Sequence, residues 1–269
     1  MNDEQKKYRD MQRKYYDEQS ENMLKFNHGG HCKNPDYATT LLQSCHEDIS
    51  WKDAKIFEFG CGCGRNILWL LDHARWCQEV SGCDISANNI ANTRELLEPE
   101  GWWRGGSIVP LNPPHTELYV SSGMDCGSAP SNHYDMVFST IVLQHICVHS
   151  IRYSIMEDVH RILVPGGLFS FQMGFDGELE STPPPYPSRV GLVHTHEPCG
   201  VKVDAQALYH EDNTDAIATN SSADVRITDP QEVIADLEKI GFKDVTHKIT
   251  NAWQDDAHRY WIWFQARRA

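Results

Sequence analysis

Apolar positions in the first 28 residues recur at spacings of three and four: Tyr8, Met11, Tyr15 and Tyr16, then Met23, Leu24 and Phe26, set in a dense run of charge. That is the signature of an amphipathic helix with a narrow apolar stripe. His28-Gly29-Gly30-His31 reads as a loop, and Asn34-Pro35 as the N-cap and first residue of a helix reaching roughly Cys45. The period then changes. Ile56-Phe57-Glu58-Phe59 is a short buried strand that breaks into glycines at 60, 62 and 64 and runs into a helical stretch from Ile67 to about Cys77. A second strand follows at Glu79–Asp84, then a helix from Ala87 to Leu97 capped by Ser86 and ended by Pro99.

Residues 99–117, rich in proline and glycine around Trp102-Trp103, predict an irregular connection. Strand three is expected at Glu117–Ser121 and strand four at Tyr134–Ser139. Ser150 is placed to cap a helix whose Ile151, Ile155, Val159 and Ile162 repeat at helical spacing, and a fifth strand is expected from Leu168 to Met173. From Gly174 to about Thr228 the periodicity fails, and Pro183-Pro184-Pro185-Tyr186-Pro187 is stiff and extended. Order returns at Asp229-Pro230, which opens a helix with Val233, Ile234, Leu237 and Ile240 on one side and Gly241 as its stop. Val245–Ile249 and Tyr260–Phe264 are closing strands. Alternating strands and helices with right-handed crossovers predict an α/β fold, a doubly wound parallel sheet with helices on both faces.

A chain of 269 residues buries one sizeable core. Its net charge of −14 repels phosphates at long range and disfavours a nucleic-acid partner. No run approaches the roughly 18 apolar residues needed to cross a bilayer, and Met1-Asn2-Asp3-Glu4 does not open a signal peptide. Nine cysteines without framework spacing suit a reducing, cytoplasmic setting.

The chemistry centres on the strand, glycine loop and helix at 56–71. Glycine can turn at positive φ and let a ligand lie against the backbone, and the following helix points free N–H groups at it. Dinucleotide loops read G-x-G-x-x-G, whereas here the glycines give G-x-G-x-G with Glu58 two residues ahead. This spacing resembles the first motif of the class I S-adenosylmethionine-dependent methyltransferases. Their cofactor is a cationic sulfonium without a phosphate, so an acid beside the loop is tolerable. Asp84, twenty residues past Gly64 (84 − 64), stands where an acid at the tip of strand two accepts ribose hydroxyls. Tyr134–Ser139 with Thr140-Ile141-Val142-Leu143-Gln144-His145 resembles the family's fourth motif, and Leu163 to Phe169 its L-x-P-G-G-x-h turn.

The resemblance covers about 34–175 and 229–267 and implies a seven-stranded, mostly parallel sheet with an antiparallel last strand. It implies that Glu58, Gly60, Cys61 and Gly62 face the methionyl moiety, Asp84 and Ile85 the ribose, Met124 and Asp125 the adenine, and Ser139 and Thr140 the transfer face. Residues 1–33 are expected to form an N-terminal helical cap, 34–269 the methyltransferase domain that the resemblance implies, and about 174–228 an inserted lid at the ligand-binding edge.

His145 is the expected general base for a hydroxyl acceptor. Tyr15, Gln144, His194, His196 and His210 are candidate substrate contacts. The expected acceptor is a small organic molecule methylated on oxygen or nitrogen; a protein side chain, a nicotinamide oxidoreductase and a non-catalytic nucleoside-binding module are the alternatives. Two metal readings compete with this one: Cys61, Cys63, Cys83 and Cys126 converging at strand tips, and His194-x-His196-x-x-Cys199 joined by His210. The absence of C-x-x-C spacing and the loop's need for its backbone weigh against the first, and no metal is assigned.

Overall fold

The computed structural model describes residues 2–28, 52–73, 77–98, 114–179, 207–216, 225–252 and 260–269. The expected helix at 34–45, the Trp102-Trp103 pair and the proline run at 183–187 lie outside the described residues.

The long amphipathic stretch forms α1 (Asp3–His28). The first strand, β1 (Lys55–Phe59), leads through the glycines into α2 (Arg65–His73), and β2 (Glu79–Asp84) into α3 (Ala87–Leu97). Cys77, expected at the end of α2, lies beyond it. Then come β3 (Leu118–Val120), β4 (Tyr134–Ser139), α4 (His149–Ile162) and β5 (Leu163–Phe175). Within the insertion, β6 (Ala207–Leu208) and β7 (Val225–Arg226) pair as a separate small sheet. The chain closes with α5 (Pro230–Ile240), β8 (Phe242–Asn251) and β9 (Tyr260–Arg268).

Seven strands make one sheet in the order β3-β2-β1-β4-β5-β9-β8. β1 to β5 run parallel, and β9 lies antiparallel between β5 and β8. Winding reverses between β1 and β4, so their carboxyl ends form the crevice where open α/β sheets bind ligands.

Side-chain alternation sorts the core into two layers. Phe57 and Phe59 of β1 join Ile262 and Phe264 of β9 against α4 and α5, through Ile151, Ile155, Val159, Val233 and Leu237. Ile56, Trp261 and Trp263 face the other way, against Ile67, Leu70 and Leu71 of α2 and Ile90 of α3. Each fully buried side chain of this size contributes about 1.5–3 kcal/mol, so a one-residue slip of β9 would forfeit the burial of both layers at once.

Cap chemistry follows the sequence at two helices. Ser86 Oγ accepts from Asn89 N–H, and Asp229 accepts from Gln231 N–H ahead of Pro230, with Gly241 left-handed at φ 113°. Ser150 does not cap α4. That helix starts one residue earlier, and Asp212 from the insertion accepts from both Ser150 N–H (2.8 Å) and Ser150 Oγ (2.9 Å). A carboxylate far away in sequence thus does the work expected of a local hydroxyl.

Candidate active site

The glycine loop is built on left-handed backbone. Gly60, Gly62 and Gly64 have φ of 76°, 53° and 75°, and Gly60 N–H and Cys61 N–H both donate to Cys83 carbonyl at the tip of β2 (2.8 and 2.9 Å). A Cβ on Gly60 would stand 2.4 Å from Val142, and one on Gly64 2.4 Å from Thr93. The loop is therefore fixed by conformation and by space, and only glycine satisfies both at these two positions.

Glu58 ends up beneath the loop, 2% exposed. Asn66, in the first turn of α2, donates to Glu58 Oε1 (2.6 Å) and to Thr140 Oγ1 (3.2 Å), tying β1 to the segment after β4. Glu58 Oε2 is buried and has no hydrogen-bond partner among the described residues. Burial, helped by Asp84, pushes the Glu58 carboxyl up to about 8 against the opposing pull of Asn66 and Arg65. Such a group is an incomplete anion: it gains most from a cation arriving next to it.

Asp84 is 8% exposed and accepts from Gly62 N–H (2.9 Å), Ser86 N–H (2.9 Å) and Asn89 Nδ2 (3.2 Å). Burial raises its carboxyl despite these bonds. It therefore organises the loop and the start of α3, and Oδ2, with a single donor, keeps an acceptor lone pair for a ribose hydroxyl. Asp125 is likewise a turn-former. It accepts from Ser122 N–H (3.0 Å), Ser122 Oγ (2.6 Å) and Gly127 N–H (2.9 Å); burial would raise its carboxyl, but the Ser122 and Gly127 bonds hold it below the usual range. Met124 packs on the main core, half-buried, and a Cβ on Gly123 would meet Ile85 and Arg9, so Ile85 borders the same corner.

After β4 the backbone is held under strain. Ile141 is left-handed at φ 54°, unusual for a β-branched residue and of order 1–3 kcal/mol in cost. Its N–H donates to Gln172 Oε1 (2.9 Å), and Gln172 Nε2 donates to Gln144 Oε1 (2.7 Å), so β5 pins the segment from below. Ser139 Oγ is turned into the sheet, donating to Phe59 carbonyl (3.0 Å), which removes it from the transfer face. His145 closes a short 3-10 turn, Leu143–His145, and is half-buried.

Across this edge lies α1. Asp17 accepts from Ser86 Oγ (2.6 Å), Ser20 carbonyl receives Cys63 Sγ (3.6 Å), and Arg13 donates to Ser122 carbonyl (3.0 Å). Tyr8 is 1% exposed; its hydroxyl donates to His145 carbonyl (3.3 Å) and accepts from Cys147 N–H (2.8 Å), and Gln5 reaches Ser150. The helix roofs the crevice from α3 to α4. Tyr15 lies half-buried on this helix, against Tyr16.

His194, His196 and Cys199 lie outside the described residues. His210 is not at the crevice roof: it joins His149 and Asp236 between α4 and α5. The cysteine cluster does not make a ligand set among the described residues. Cys61 and Cys83 are pushed well above the ordinary thiol range by burial, and Cys63 donates to Asn89 Oδ1 (3.3 Å). Asn66, Asp17 and Gln172 were not singled out from sequence; Asn66 alone had a usable signal, a polar residue in the first turn after the loop.

Residues 57–171 match the family model of the methyltransferase domain. The fold is similar to magnesium protoporphyrin IX methyltransferase from Synechocystis PCC 6803, solved with bound S-adenosylhomocysteine: TM-score 0.60, 12% identity, 97% of this chain and 100% of that one covered. It is also similar to an S-adenosylmethionine-dependent methyltransferase from Methanosarcina mazei (TM-score 0.54, 16% identity, 84% and 96% covered) and to the cyclase SpnF (0.54, 12%, 87% and 80%). No curated protein matches the chain in sequence. The match at 57–171 and the doubly wound sheet with its glycine loop give the chain a methyltransferase domain with the fold of the class I S-adenosylmethionine-dependent enzymes. The unsatisfied Glu58 oxygen beside a loop that tolerates no Cβ at Gly60 fits a sulfonium cation such as S-adenosylmethionine.

Proposed function

We propose that this methyltransferase acts on a small organic acceptor, at oxygen or nitrogen. The observation that carries the reading is the roof: α1 spans the crevice from Ser86 to Ser150, so an acceptor must fit beneath it rather than lie across it as a polymer. The net charge of −14 argues in the same direction against nucleic acid.

When bound, S-adenosylmethionine supplies an electrophilic methyl group, and the protein's task is to hold the acceptor in line with it. Glu58 and the 60–62 loop hold the methionyl end, Asp84 and Ile85 the ribose, Met124 and Asp125 the adenine, with Thr140 at the transfer face. His145 takes the proton from a hydroxyl acceptor, and Gln144, pinned by Gln172, orients its segment. Residues 1–33 act as the cap and 174–228 as the lid of the domain at 34–269. The six described cysteines are free and buried, which suits a cytoplasmic setting; among the described residues no helix is long and apolar enough to cross a membrane.

The test is transfer of a labelled methyl group to three fractions of a cell extract: dialysable small molecules, total RNA and total protein. Label entering only the first supports the reading; label entering protein favours the side-chain alternative; no transfer despite cofactor binding would leave a binding module. For a hydroxyl acceptor, His145→Gln lowers kcat by about 10²–10⁴ with cofactor affinity unchanged.

A further inference from the structure

Away from the cofactor crevice, three chain segments bring together donors that the reaction does not use. His149 opens α4, His210 follows β6 in the insertion, and Asp236 sits in the middle of α5. Their ligand atoms all lie within 4.8 Å of one another. His149 Nε2 is 2.6 Å from Asp236 Oδ2, and the two imidazole rings meet edge to face at 4.9 Å. A fourth donor stands one helical turn before Asp236: Glu232 Oε1 is 4.0 Å from His210 Nε2.

We propose that His149, His210 and Asp236, with Glu232 completing the set, bind one divalent transition-metal ion of the zinc type and thereby fasten the inserted segment to α4 and α5.

Two imidazoles and carboxylates in a four-donor set suit zinc, at about 2.0–2.2 Å per ligand. Ligands of a tetrahedral ion at that radius stand roughly 3.3 Å apart, so His149 and Asp236 separate by less than about 1 Å and the exposed His210 ring swings in. Asp236 has the outer partner such carboxylates need: Tyr209 hydroxyl donates to its Oδ2 (3.0 Å).

The frame is already tied down. Asn213 N–H donates to Cys147 carbonyl (3.1 Å), His149 N–H to Glu211 carbonyl (3.0 Å), and Asp212 holds Ser150. Arg152, fully buried on α4, donates to the carbonyls of Tyr209 and Ile146. Its charge opposes a cation, and Asp236 and Glu232 offset it. Because the donors come from positions 149, 210, 232 and 236, no local spacing motif marks them.

The experiment uses the full chain stripped with a chelator, then titrated with Zn²⁺ or Co²⁺. Expected are one equivalent bound, the intense visible bands of tetrahedral Co²⁺, a rise of several degrees in Tm, and slower proteolysis of the insertion. His210→Ala changes a half-exposed side chain and weakens binding at least 100-fold with an unchanged circular dichroism spectrum; Asp236→Asn does likewise. A His194→Ala/His196→Ala variant retains the site. Absence of saturable binding, full binding by His210→Ala, or loss of binding only in the His194/His196 variant overturns the proposal.

Discussion

Glu58→Gln isolates the electrostatic logic of the crevice. The substitution keeps shape and the bond from Asn66 while removing an ionisable group that burial has pushed from 4.5 to about 8. Because the folded value is raised, the neutral form is the one the fold favours. The Glu58 contribution to wild-type stability therefore falls as pH rises from about 4.5 and levels off above about 8, where Glu58 is ionised in both states. The interval of about 3.5 pH units corresponds to roughly 5 kcal/mol at about 1.4 kcal/mol per unit. Glu58→Gln should lack this component, matching wild type near pH 5 and exceeding it above pH 8.

Cofactor binding reverses the preference. A sulfonium amino acid beside Oε2 favours the carboxylate, so binding expels a proton wherever the free protein still holds one. At pH 7 a group at about 8 is about 90% protonated, so about 0.9 proton leaves per site. Calorimetry with S-adenosylmethionine in two buffers of different ionisation enthalpy counts that proton directly. Affinity should strengthen towards tenfold per pH unit from 6 to 8 and then flatten. Glu58→Gln should show neither proton release nor pH dependence and should bind about 10- to 150-fold more weakly, the 1.5–3 kcal/mol of a charge-assisted bond. Unchanged affinity in the variant, or no proton released by wild type, would refute Glu58 as the methionyl contact.

Three further outcomes follow from the same geometry. Asp84→Ala should weaken cofactor affinity by roughly 1–3 kcal/mol and also lower Tm, since Gly62 and Ser86 N–H lose their acceptor; calorimetry and melting together check it. Gly60→Ala, forced into left-handed backbone with its Cβ against Val142, should abolish cofactor binding or prevent accumulation of folded protein, read by expression and titration. Tyr8→Phe removes a hydroxyl that serves both Cys147 N–H and His145 carbonyl and should cost about 1–3 kcal/mol in denaturant unfolding.

Local signals in the sequence were legible where one element carried them alone. Strand four, the Ser86 and Asp229 caps and the Gly241 stop needed only alternation or a capping side chain with its neighbours, and the structure has them at those residues. Ser150 failed because the better acceptor, Asp212, lies 62 residues away. Strand five began earlier than its hydrophobic run, at Leu163, because pairing with β4 extends it through the glycine turn. In the site, the acids could be placed but not their bonds. Asp84 and Asp125 read as free ligand contacts, whereas each spends most of its accepting capacity on its own loop. His210 read as a substrate contact because nothing in sequence revealed that α5 would bring Asp236 beside it.

The attachment of α1 bears on how a ligand in the crevice would come and go. Its described grip on the edge combines the buried Tyr8, Gln12 and Ser20 with polar contacts, Asp17 to Ser86 and Asn88, Arg13 to Ser122 and Gln5 to Ser150. A single helix can open at less cost than global unfolding when the sheet beneath it keeps its own core. A nucleoside seated beneath α1 would then leave by movement of that one helix with the sheet intact, and Tyr8, bonded to both His145 and Cys147, is the contact such a movement must break.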